Sequence, residues 1–445
     1  MSTSDGRTEA FRQTESRSAQ LYERAKKVLP GGNTRTTLYE APYPSYAASG
    51  KGAVITDVEG DSRLDFINNY TSLIHGHADP DINAAVIEQL PRGVAYAMPT
   101  ESEIALAELL VDRIPALEQV RFTNSGTEGV MMALKAARAY TGRPKIARFE
   151  GSYHGSYDFA EVGYVSPPDQ WTDGDPVAYP TTAGTPQGVL DNVVVLPYND
   201  IDAVERIIER ERHNLAAVLI DLMPSRFGLV QAQVPFLQRL REITRAHGIV
   251  LIFDEVITLR VGYHGMQGLL GVTPDLVSMG KIIGGGFPVG ALGGAAEIMA
   301  VFDPSRGSVL APHGGTFNAN PVTMVAGRVA MEKLPREEFA RLDRLGDLLR
   351  ESLAEVMDGE RVAGQVTGAG SLFNIHLHDR PLRDYRSAVE SAAERARRGA
   401  LHRALVSNGV VMSPTLFGCI STPMGEAEVN TFVDAFGRAL RESAV

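Results

Sequence analysis

The sequence predicts an α/β protein whose large domain contains a mostly parallel, seven-stranded sheet, with a smaller α+β domain built from both chain ends. Between about residues 76 and 330, seven short apolar runs alternate with longer amphipathic stretches, which is typical of a parallel sheet covered by helices. The flanking parts lack this alternation, and 445 residues exceed the usual size of one hydrophobic domain. We therefore expect a large domain at 76–330 and a small domain made of 16–75 and 331–445.

The predicted elements follow one another along the chain. Residues 1–15 are predicted to form a polar tail, and 16–75 one helix followed by short strands and turns. The seven strand-like runs are VRFTNSG, KIARFEG, NVVVLPY, AAVLIDLMP, IVLIFDEV, LVSMGK and PVGALGG. Helical patterns such as EGVMMALKAARAYTG and VPFLQRLREITRAHG separate several of them. Because ligands of open parallel sheets bind beyond the carboxyl ends of the strands, the functional residues are expected there.

Charge and composition narrow the classes of partner. The chain has 43 Lys and Arg against 54 Asp and Glu, a net charge of -11, and no strongly basic block, so we expect no nucleic-acid partner. No run approaches the ~20 apolar residues of a membrane span, so no membrane association is expected. The single cysteine, Cys419, cannot form a disulfide within the chain, which fits a reducing cytoplasm.

Two polar residues stand at the ends of predicted strands. Asp254 ends the apolar part of IVLIFDEV, where a carboxylate needs a cation or strong donor as a fixed partner. Lys281 ends DLVSMGK beside a glycine-rich stretch. A desolvated lysine is a Schiff-base nucleophile, and adjacent glycines leave room for a planar group or another backbone. The alternatives are a helix cap or a structural ion pair for Asp254, and a surface lysine before a glycine-rich turn for Lys281.

A phosphate site is predicted where the run VRFTNSG passes into a helical pattern. Ser125, Gly126 and Thr127 stand at the helix N-terminus, where free N–H groups and the macrodipole favour a phosphate and two hydroxyls add donors. A plain helix cap is the alternative interpretation.

Three further candidates complete a possible ligand site. Tyr153 and His154 follow the next predicted strand, where an aromatic ring can cover a planar ligand or merely pack between sheet and helix. Thr316 offers a hydroxyl in the glycine-rich loop HGGTFNANP, which is otherwise an ordinary turn. Jointly the candidates supply a phosphate cup, an aromatic face, an acid for a ring nitrogen and a lysine for an aldehyde. These groups together indicate pyridoxal phosphate.

Five motifs occur in the order and spacing of one known family: TNSGTEGVMMALKAARAYTGRPKI, GSYHG, LIFDEV, GKIIGGGFPVGALGG and GGTFNANP. With them the sequence resembles the class III, fold type I aminotransferases that depend on pyridoxal phosphate. It is most similar to the branch that includes glutamate-1-semialdehyde aminomutase and β-phenylalanine aminotransferases. The resemblance covers nearly the whole chain, from YERAKKVLPGGNTR to the C-terminal lobe.

The resemblance implies a role for each candidate. Lys281 is expected to hold the cofactor as a Schiff base, and Asp254 to pair with its pyridinium nitrogen. The other implied cofactor contacts are Ser125, Gly126 and Thr127 at the phosphate, Tyr153 and His154 at the ring, Val256 on the opposite ring face, and Thr316, which reaches the phosphate from the neighbouring subunit. This last contact implies a homodimer with active sites at the interface. The glycines after Lys281 are then expected to leave room for the cofactor and the neighbouring subunit.

The activity that the resemblance implies is ping-pong transfer of an amino group from an amino acid, perhaps a β-amino acid, to a 2-oxo acid. Lys281 then also moves the proton between substrate and cofactor carbons. One alternative is an aminomutase of the glutamate-1-semialdehyde type, or a racemase, which releases no carbonyl product. Another is a phosphate-binding α/β protein without covalent catalysis, whose single site is 125–127.

The substrate residues carry the weakest sequence signal. Arg35 matches an arginine that binds the substrate carboxylate in the β-phenylalanine branch, and a guanidinium suits a carboxylate. Tyr70, Arg226 and Met98 are further candidates for the substrate pocket. No metal ion is expected, because His75 and His77 lack cysteine or acidic partners at ligand spacing and we assign them to structure.

Three segments depart from the family pattern. Asp221 stands where the family usually has Glu, within IDLMPSRFG, and this segment also carries the extra Arg226. The usual Thr-Gly-Phe-Arg after DEV is shortened to the stretch that ends at Arg260. Thr415 stands where the β-phenylalanine enzymes have a second arginine. The identity of the amino donor and acceptor is therefore open.

Overall fold

The computed structural model describes residues 16–172 and 174–443. The predicted polar tail at 1–15 lies outside the described residues. The strands are β1 Ala47–Lys51, β2 Val54–Asp57, β3 Ser62–Asp65, β4 Gln119–Thr123, β5 Lys145–Phe149, β6 Val193–Leu196, β7 Leu215–Asp221, β8 Val250–Asp254, β9 Leu276–Gly280, β10 Gly290–Gly294, β11 Gln365–Thr367, β12 Leu372–His376, β13 Val410–Val411 and β14 Phe417–Cys419.

The longer helices cover these strands. They are α1 Arg17–Ala25, α2 Pro80–Gln89, α3 Glu101–Arg113, α4 Gly126–Thr141, α5 Ile201–Glu211, α6 Val234–Ala246, α7 Gly265–Leu270, α8 Pro321–Glu332, α9 Arg336–Gly359, α10 Ala392–Ser407 and α11 Glu426–Glu442. Single helical turns occur at Asp158–Glu161, Gln187–Leu190, Ala296–Met299 and Tyr385–Ala388. Within the described residues, none of the helices combines the length and the apolar character needed to cross a membrane.

The central sheet has the strand order β4-β10-β9-β8-β7-β5-β6. Strands β5 to β9 pair in parallel with their neighbours, and β10 is antiparallel to both β4 and β9. All seven predicted strands are present, which confirms the predicted mostly parallel sheet. The parallel strands share one direction, so their carboxyl ends meet along one edge.

Burial explains why the central strands consist of continuous apolar runs. Every residue of β7, β8 and β9 is buried, since helices cover both faces of the sheet. Leu219 and Ile252 pack in the core that includes Val130 of α4. Their chain neighbours point to the opposite face, where Phe253 packs in the core that includes Leu240 of α6. Each such side chain contributes about 1.5–3 kcal/mol on burial, so the strand ends rest on a rigid base.

The smaller sheets combine segments from the two chain ends. One has the order β1-β2-β3-β13 and brings strands at 47–65 beside a strand at 410–411. The other has the order β11-β12-β14. This arrangement fits a small domain built from both ends, although the exact division at 16–75, 76–330 and 331–445 stays a prediction.

A left-handed turn follows β3 directly. The φ angles of Asn68, Asn69, Tyr70 and Thr71 are 46°, 48°, 54° and 73°, although none of these residues is glycine. A left-handed residue other than glycine costs roughly 1–2 kcal/mol, so surrounding contacts must hold the turn in place. Asp65 provides one such contact, because its Oδ1 atom accepts the N–H of Asn68 at 2.8 Å.

Candidate active site

A cavity of about 390 Å³ opens at the carboxyl ends of the central strands. Its lining includes every residue predicted to contact the cofactor except Thr316, namely Ser125, Gly126, Thr127, Tyr153, His154, Asp254, Val256 and Lys281. Arg35 and Tyr70, which come from the N-terminal part of the chain, line the same cavity. The predicted cofactor residues and two of the predicted substrate residues therefore surround one space of the size that small-molecule sites usually have.

Lys281 directly follows β9 and has a left-handed backbone, with φ of 51°. Within the described part of the chain, its amine makes neither a hydrogen bond nor an ion pair. Burial lowers the pKa of Lys281, and the nearby Asp254 and Asp221 carboxyl groups oppose this shift. A lower pKa leaves more of the amine neutral and nucleophilic, as Schiff-base formation requires.

Asp254 is held by two donors at the end of β8. His154 Nδ1 lies 2.7 Å from Asp254 Oδ2, and the N–H of Val256 donates to Oδ1 at 3.1 Å. Burial lowers the pKa of His154, which favours the neutral ring. Since a carboxylate only accepts, Nδ1 carries the proton, and the Nε2 atom of His154 is buried without a partner among the described residues. The acid is thus fixed in direction by a buried histidine.

Asp221 places a second carboxyl group beside the first. It ends β7, pairs in register with Asp254 of β8 and lines the cavity. Its Oδ1 atom accepts the N–H of Met223 at 2.9 Å. Burial and the charge of Asp254 raise the pKa of Asp221 well above its usual range. The sequence signal for this residue is its departure from the usual Glu, and the structure brings it to the cavity floor.

The start of α4 forms an anion cup. Ser125 caps the helix, because its Oγ atom accepts the N–H of Glu128 at 3.2 Å. The first two helical residues, Gly126 and Thr127, have no intrahelical partners for their N–H groups and line the cavity. A Cβ atom at Gly126 would lie 3.0 Å from the methyl groups of Val256, so the site depends on glycine for this close approach.

Tyr153 and His154 are carried by a loop that a buried arginine fastens. Arg148 of β5 is fully buried and donates to the backbone carbonyls of Phe149, Ser152 and Ala160. Burial lowers the pKa of Arg148 to about 9. The loop therefore returns to the sheet at several points, which fixes the ring that faces the cavity.

Arg226 does not line the cavity within the described residues. Its guanidinium lies 5.0 Å from the ring centroid of Tyr164, whose ring lies 5.2 Å from that of Tyr153. One aromatic side chain thus separates Arg226 from the cavity wall, and its assignment to substrate binding stays a prediction. Met98 is exposed and is also absent from the lining.

The glycines after Lys281 serve two purposes. The missing side chains of Gly284 and Gly285 face Val289 and the carbonyl of Ala326 in α8, so the prediction that they leave room for a cofactor or another subunit is wrong. Gly286 lines the cavity. Packing against Val289 and against α8 within the chain therefore explains two of the three consecutive glycines.

Three other residues discussed from the sequence, two histidines and Thr316, lie away from the cavity lining. His75 bonds the carbonyl of Ala330 at 2.8 Å, and His77 Nε2 lies 2.7 Å from Asp65 Oδ2, as structural histidines do. Thr316 does not line the cavity of its own chain. Its predicted reach into a neighbouring site stays a prediction.

Sequence reasoning missed Asn69, Ser72 and Asn124, which line the cavity. Arg260, noted only as part of a shortened motif, is fully buried and donates to the carbonyl of Thr71 at 2.8 Å. Single Asn and Ser residues carry little signal in a sequence. A run of left-handed residues without glycine has no established sequence signature.

The family model of the class III aminotransferases matches residues 39–422. A glutamate-1-semialdehyde 2,1-aminomutase of Methanothermobacter thermautotrophicus is 39% identical over 408 residues, covering 91% of this chain and 93% of the relative. A β-phenylalanine transaminase of Variovorax paradoxus is 40% identical over 422 residues, covering 94% and 92%. The crystal structure of an ω-transaminase from Sphaerobacter thermophilus superposes with a TM-score of 0.96 at 66% identity, covering 98% of this chain and all of that one.

Fold and site together define a fold type I enzyme that uses pyridoxal phosphate. More narrowly, the chain belongs to the class III aminotransferases. The geometry fits this cofactor, because one cavity combines a lysine amine without a hydrogen-bonding partner in the described residues, a fixed carboxylate and the open start of a helix.

Proposed function

We propose that the enzyme transfers the amino group of a carboxylate-bearing amine, and in particular a β-amino acid, to a 2-oxo acid. The observation that carries the proposal is Arg35, which lines the same cavity as Lys281 and has no carboxylate partner in the described residues. A guanidinium without a counter-ion beside a nucleophilic amine suits a substrate that has both an amine and a carboxylate. The similar β-phenylalanine transaminase and ω-transaminase support this interpretation.

The chain's own groups have distinct tasks in this reaction. Pyridoxal phosphate, when bound, supplies the aldehyde and the electron-accepting ring on which amino transfer depends. Asp254, oriented by His154, would pair with the ring nitrogen of the cofactor, and the start of α4 would hold its phosphate. The neutral amine of Lys281 would hold the cofactor aldehyde, and once free it would act as the base that takes and returns the proton at the reacting carbon. Arg35 holds the substrate carboxylate, which fixes the amine relative to Lys281.

Arg35→Gln tests the proposal. We expect this variant to raise KM for 3-amino-3-phenylpropanoate by roughly tenfold or more, because a charge-assisted contact is lost. Steady-state kinetics with pyruvate or 2-oxoglutarate as acceptor measure the effect. Arg239→Gln is the matched control, because Arg239 is exposed on α6, pairs with Glu205 and lies outside the cavity lining. Unchanged kinetics in Arg35→Gln would contradict the proposal.

An aminomutase is the second candidate, since a relative with 39% identity carries that name. Asp221, in place of the family's usual Glu, counts against the same substrate. The two reactions differ in their need for a second carbonyl compound. Product formation by wild-type enzyme from an amino substrate alone would favour the mutase.

The assembly and location of the enzyme belong to the same proposal. We infer a homodimer in which Thr316 reaches the phosphate of the neighbouring subunit, supported by the exposed apolar side chains of Tyr96, Met98 and Phe317. A cytoplasmic location is supported by Cys419, whose free thiol is buried and needs no oxidising compartment.

A further inference from the structure

Arg35 is directed by a single side-chain contact. It precedes the short turn Thr36–Leu38, and its exposed side chain has many rotamers available. The guanidinium Nη1 donates to Asn69 Oδ1 at 2.9 Å. Within the described residues, no carboxylate pairs with Arg35. Its direction is therefore set by a neutral acceptor, which leaves its positive charge uncompensated.

The amide of Asn69 is itself oriented. Its Nδ2 atom donates to Ser72 Oγ at 3.0 Å, and the Ser72 hydroxyl donates to the Asn69 carbonyl at 3.0 Å. These two bonds close a small ring around the turn. Because Nδ2 faces Ser72, Oδ1 is the atom that faces Arg35, as a guanidinium donor requires.

Hydrogen bonds to other parts of the chain hold the left-handed turn Asn68–Thr71, which carries Asn69, in place. Asn68 Nδ2 donates to the carbonyls of Asp65 at 2.9 Å and Cys419 at 3.1 Å. Arg260 holds the carbonyl of Thr71 from the protein interior. Strained backbone that is held this firmly is characteristic of functional sites. Asn is also the residue other than glycine that best tolerates a left-handed backbone, such as the φ of 48° and ψ of 55° at Asn69.

The same turn makes a second contact with the segment that contains Arg35, at Thr37. The hydroxyl of Tyr70 donates to the carbonyl of Thr37 at 3.0 Å. Adjacent residues of the turn thus hold positions 35 and 37. The backbone around Arg35 is fixed by Tyr70, and the direction of its side chain is fixed by Asn69.

We propose that Asn69 is the positioning residue that aims Arg35 at the substrate carboxylate, and that its neutral amide keeps the charge of Arg35 available to that carboxylate. An aspartate at this position would also accept a hydrogen bond from the Arg35 guanidinium. Its negative charge would, however, neutralise the guanidinium and compete with the substrate carboxylate for it. The proposal rests on the proposed function of Arg35. It goes beyond that function by making Asn69 a residue that favours amines with a carboxylate over amines without one.

Two variants separate direction from charge. Asn69→Gly removes the acceptor and keeps the left-handed backbone available, while Asn69→Asp keeps the acceptor and adds a charge. The substrates, with pyruvate as acceptor, are 3-amino-3-phenylpropanoate and its analogue without the carboxylate, α-methylbenzylamine. Inhibition by 3-phenylpropanoate, which has a carboxylate but no amine, is the third measurement.

For Asn69→Gly we expect KM for the amino acid and Ki for 3-phenylpropanoate to rise about three- to tenfold, because the carboxylate-binding guanidinium loses its fixed direction. We expect a much smaller change in kcat and in the KM for α-methylbenzylamine, because this amine has no carboxylate for Arg35 to bind. Asn69→Asp is expected to raise both carboxylate-dependent constants further. Equal changes for ligands with and without a carboxylate, or no change in Ki, would overturn the proposal. The Ki for 3-phenylpropanoate tests the proposal even if α-methylbenzylamine is turned over too slowly for its KM to be measured.

The test also separates this inference from the proposed function. If Arg35→Gln raises KM and Ki but Asn69→Gly changes neither, the positioning role alone is wrong. If Arg35→Gln changes neither, the carboxylate role of Arg35 is wrong as well. In an Arg35→Gln background, Asn69→Gly is expected to have no further effect, because the two residues act as one unit. Thermal unfolding and the visible absorbance of the holoenzyme confirm that each variant folds and holds its cofactor.

Discussion

Two carboxyl groups end neighbouring strands, and their hydrogen-bonding surroundings differ. Asp254 receives two hydrogen bonds, including one from the buried His154. Asp221 receives one, from the N–H of Met223, and lies beside the charge of Asp254. Burial and the charge of the neighbouring Asp254 raise the pKa of Asp221 well above its usual range, which favours the protonated form of Asp221.

This difference predicts unequal effects of the same substitution. The raised pKa of Asp221 favours its neutral form, which Asn mimics in shape and charge, so we expect Asp221→Asn to lower kcat near pH 8 by less than about threefold. Asp254→Asn removes the acid proposed to pair with the ring nitrogen and is expected to lower kcat by about a hundredfold or more. Steady-state kinetics of the two holoenzymes measure the contrast. A loss in Asp221→Asn as large as that in Asp254→Asn would show that Asp221 acts in its ionised form.

At the scale of one element, the start of α4 combines a structural and a binding task. Ser125 satisfies the N–H of Glu128 and so caps the helix. The next N–H groups remain open towards the cavity, where the helix dipole favours an anion. The stability of the cofactor-free protein should therefore depend on the Ser125 cap, and the affinity for the cofactor should depend on the open N–H groups at the start of the helix.

Two substitutions at Ser125 separate these tasks. Ser125→Ala loses the cap, and we expect the cofactor-free protein to lose about 1 kcal/mol of stability. Ser125→Asp keeps a good cap but places a negative charge against the phosphate, so stability without cofactor should persist while cofactor affinity falls at least about tenfold. Chemical denaturation and titration with pyridoxal phosphate measure the two quantities. Full cofactor affinity in Ser125→Asp would place the phosphate elsewhere.

Strand and helix ends were predictable because apolar periodicity and capping residues are local signals. Asp254, Lys281 and Ser125 each stand where such a signal stops, and all three line the cavity. The turn at Asn68–Thr71 was not predictable, since its left-handed backbone is imposed by Asp65 and by distant groups rather than by glycine. Contacts between segments that are far apart in the chain leave no local pattern in the sequence from which they could be predicted.

At the scale of the whole molecule, the cavity joins segments that are far apart in sequence. Arg35 and Tyr70 come from the N-terminal part, and Lys281 from the end of β9. Their meeting could be expected only from the family resemblance, because periodicity does not report how segments dock. Arg226 is a candidate because it is an extra arginine in an atypical segment; its guanidinium lies over the ring of Tyr164, outside the cavity lining, and its role stays a prediction.

The proposed dimer makes a prediction about mixed subunits. Lys281→Ala removes the catalytic amine, and Thr316→Asp is expected to repel the phosphate in the neighbouring site. A heterodimer of these two variants contains one intact site, formed by Lys281 of one subunit and Thr316 of the other. We expect the purified heterodimer to have about half of wild-type activity, while each parent homodimer is nearly inactive.

Co-expression with two different tags and sequential affinity purification yield the mixed species, and its mass is measured by sedimentation. An inactive heterodimer would mean that Thr316 serves the site of its own subunit. A fully active wild-type monomer would contradict the dimer altogether.

The two buried arginines behind the site have a consequence for its behaviour in salt. Arg148 and Arg260 are fully buried, and the partners that the structure shows for them are backbone carbonyls and the hydroxyl of Ser371 rather than carboxylates. Dissolved ions screen exposed charge pairs, but they do not reach dipoles fixed within the core. The ring-bearing loop and the left-handed turn therefore keep their positions across ionic strengths that weaken surface contacts.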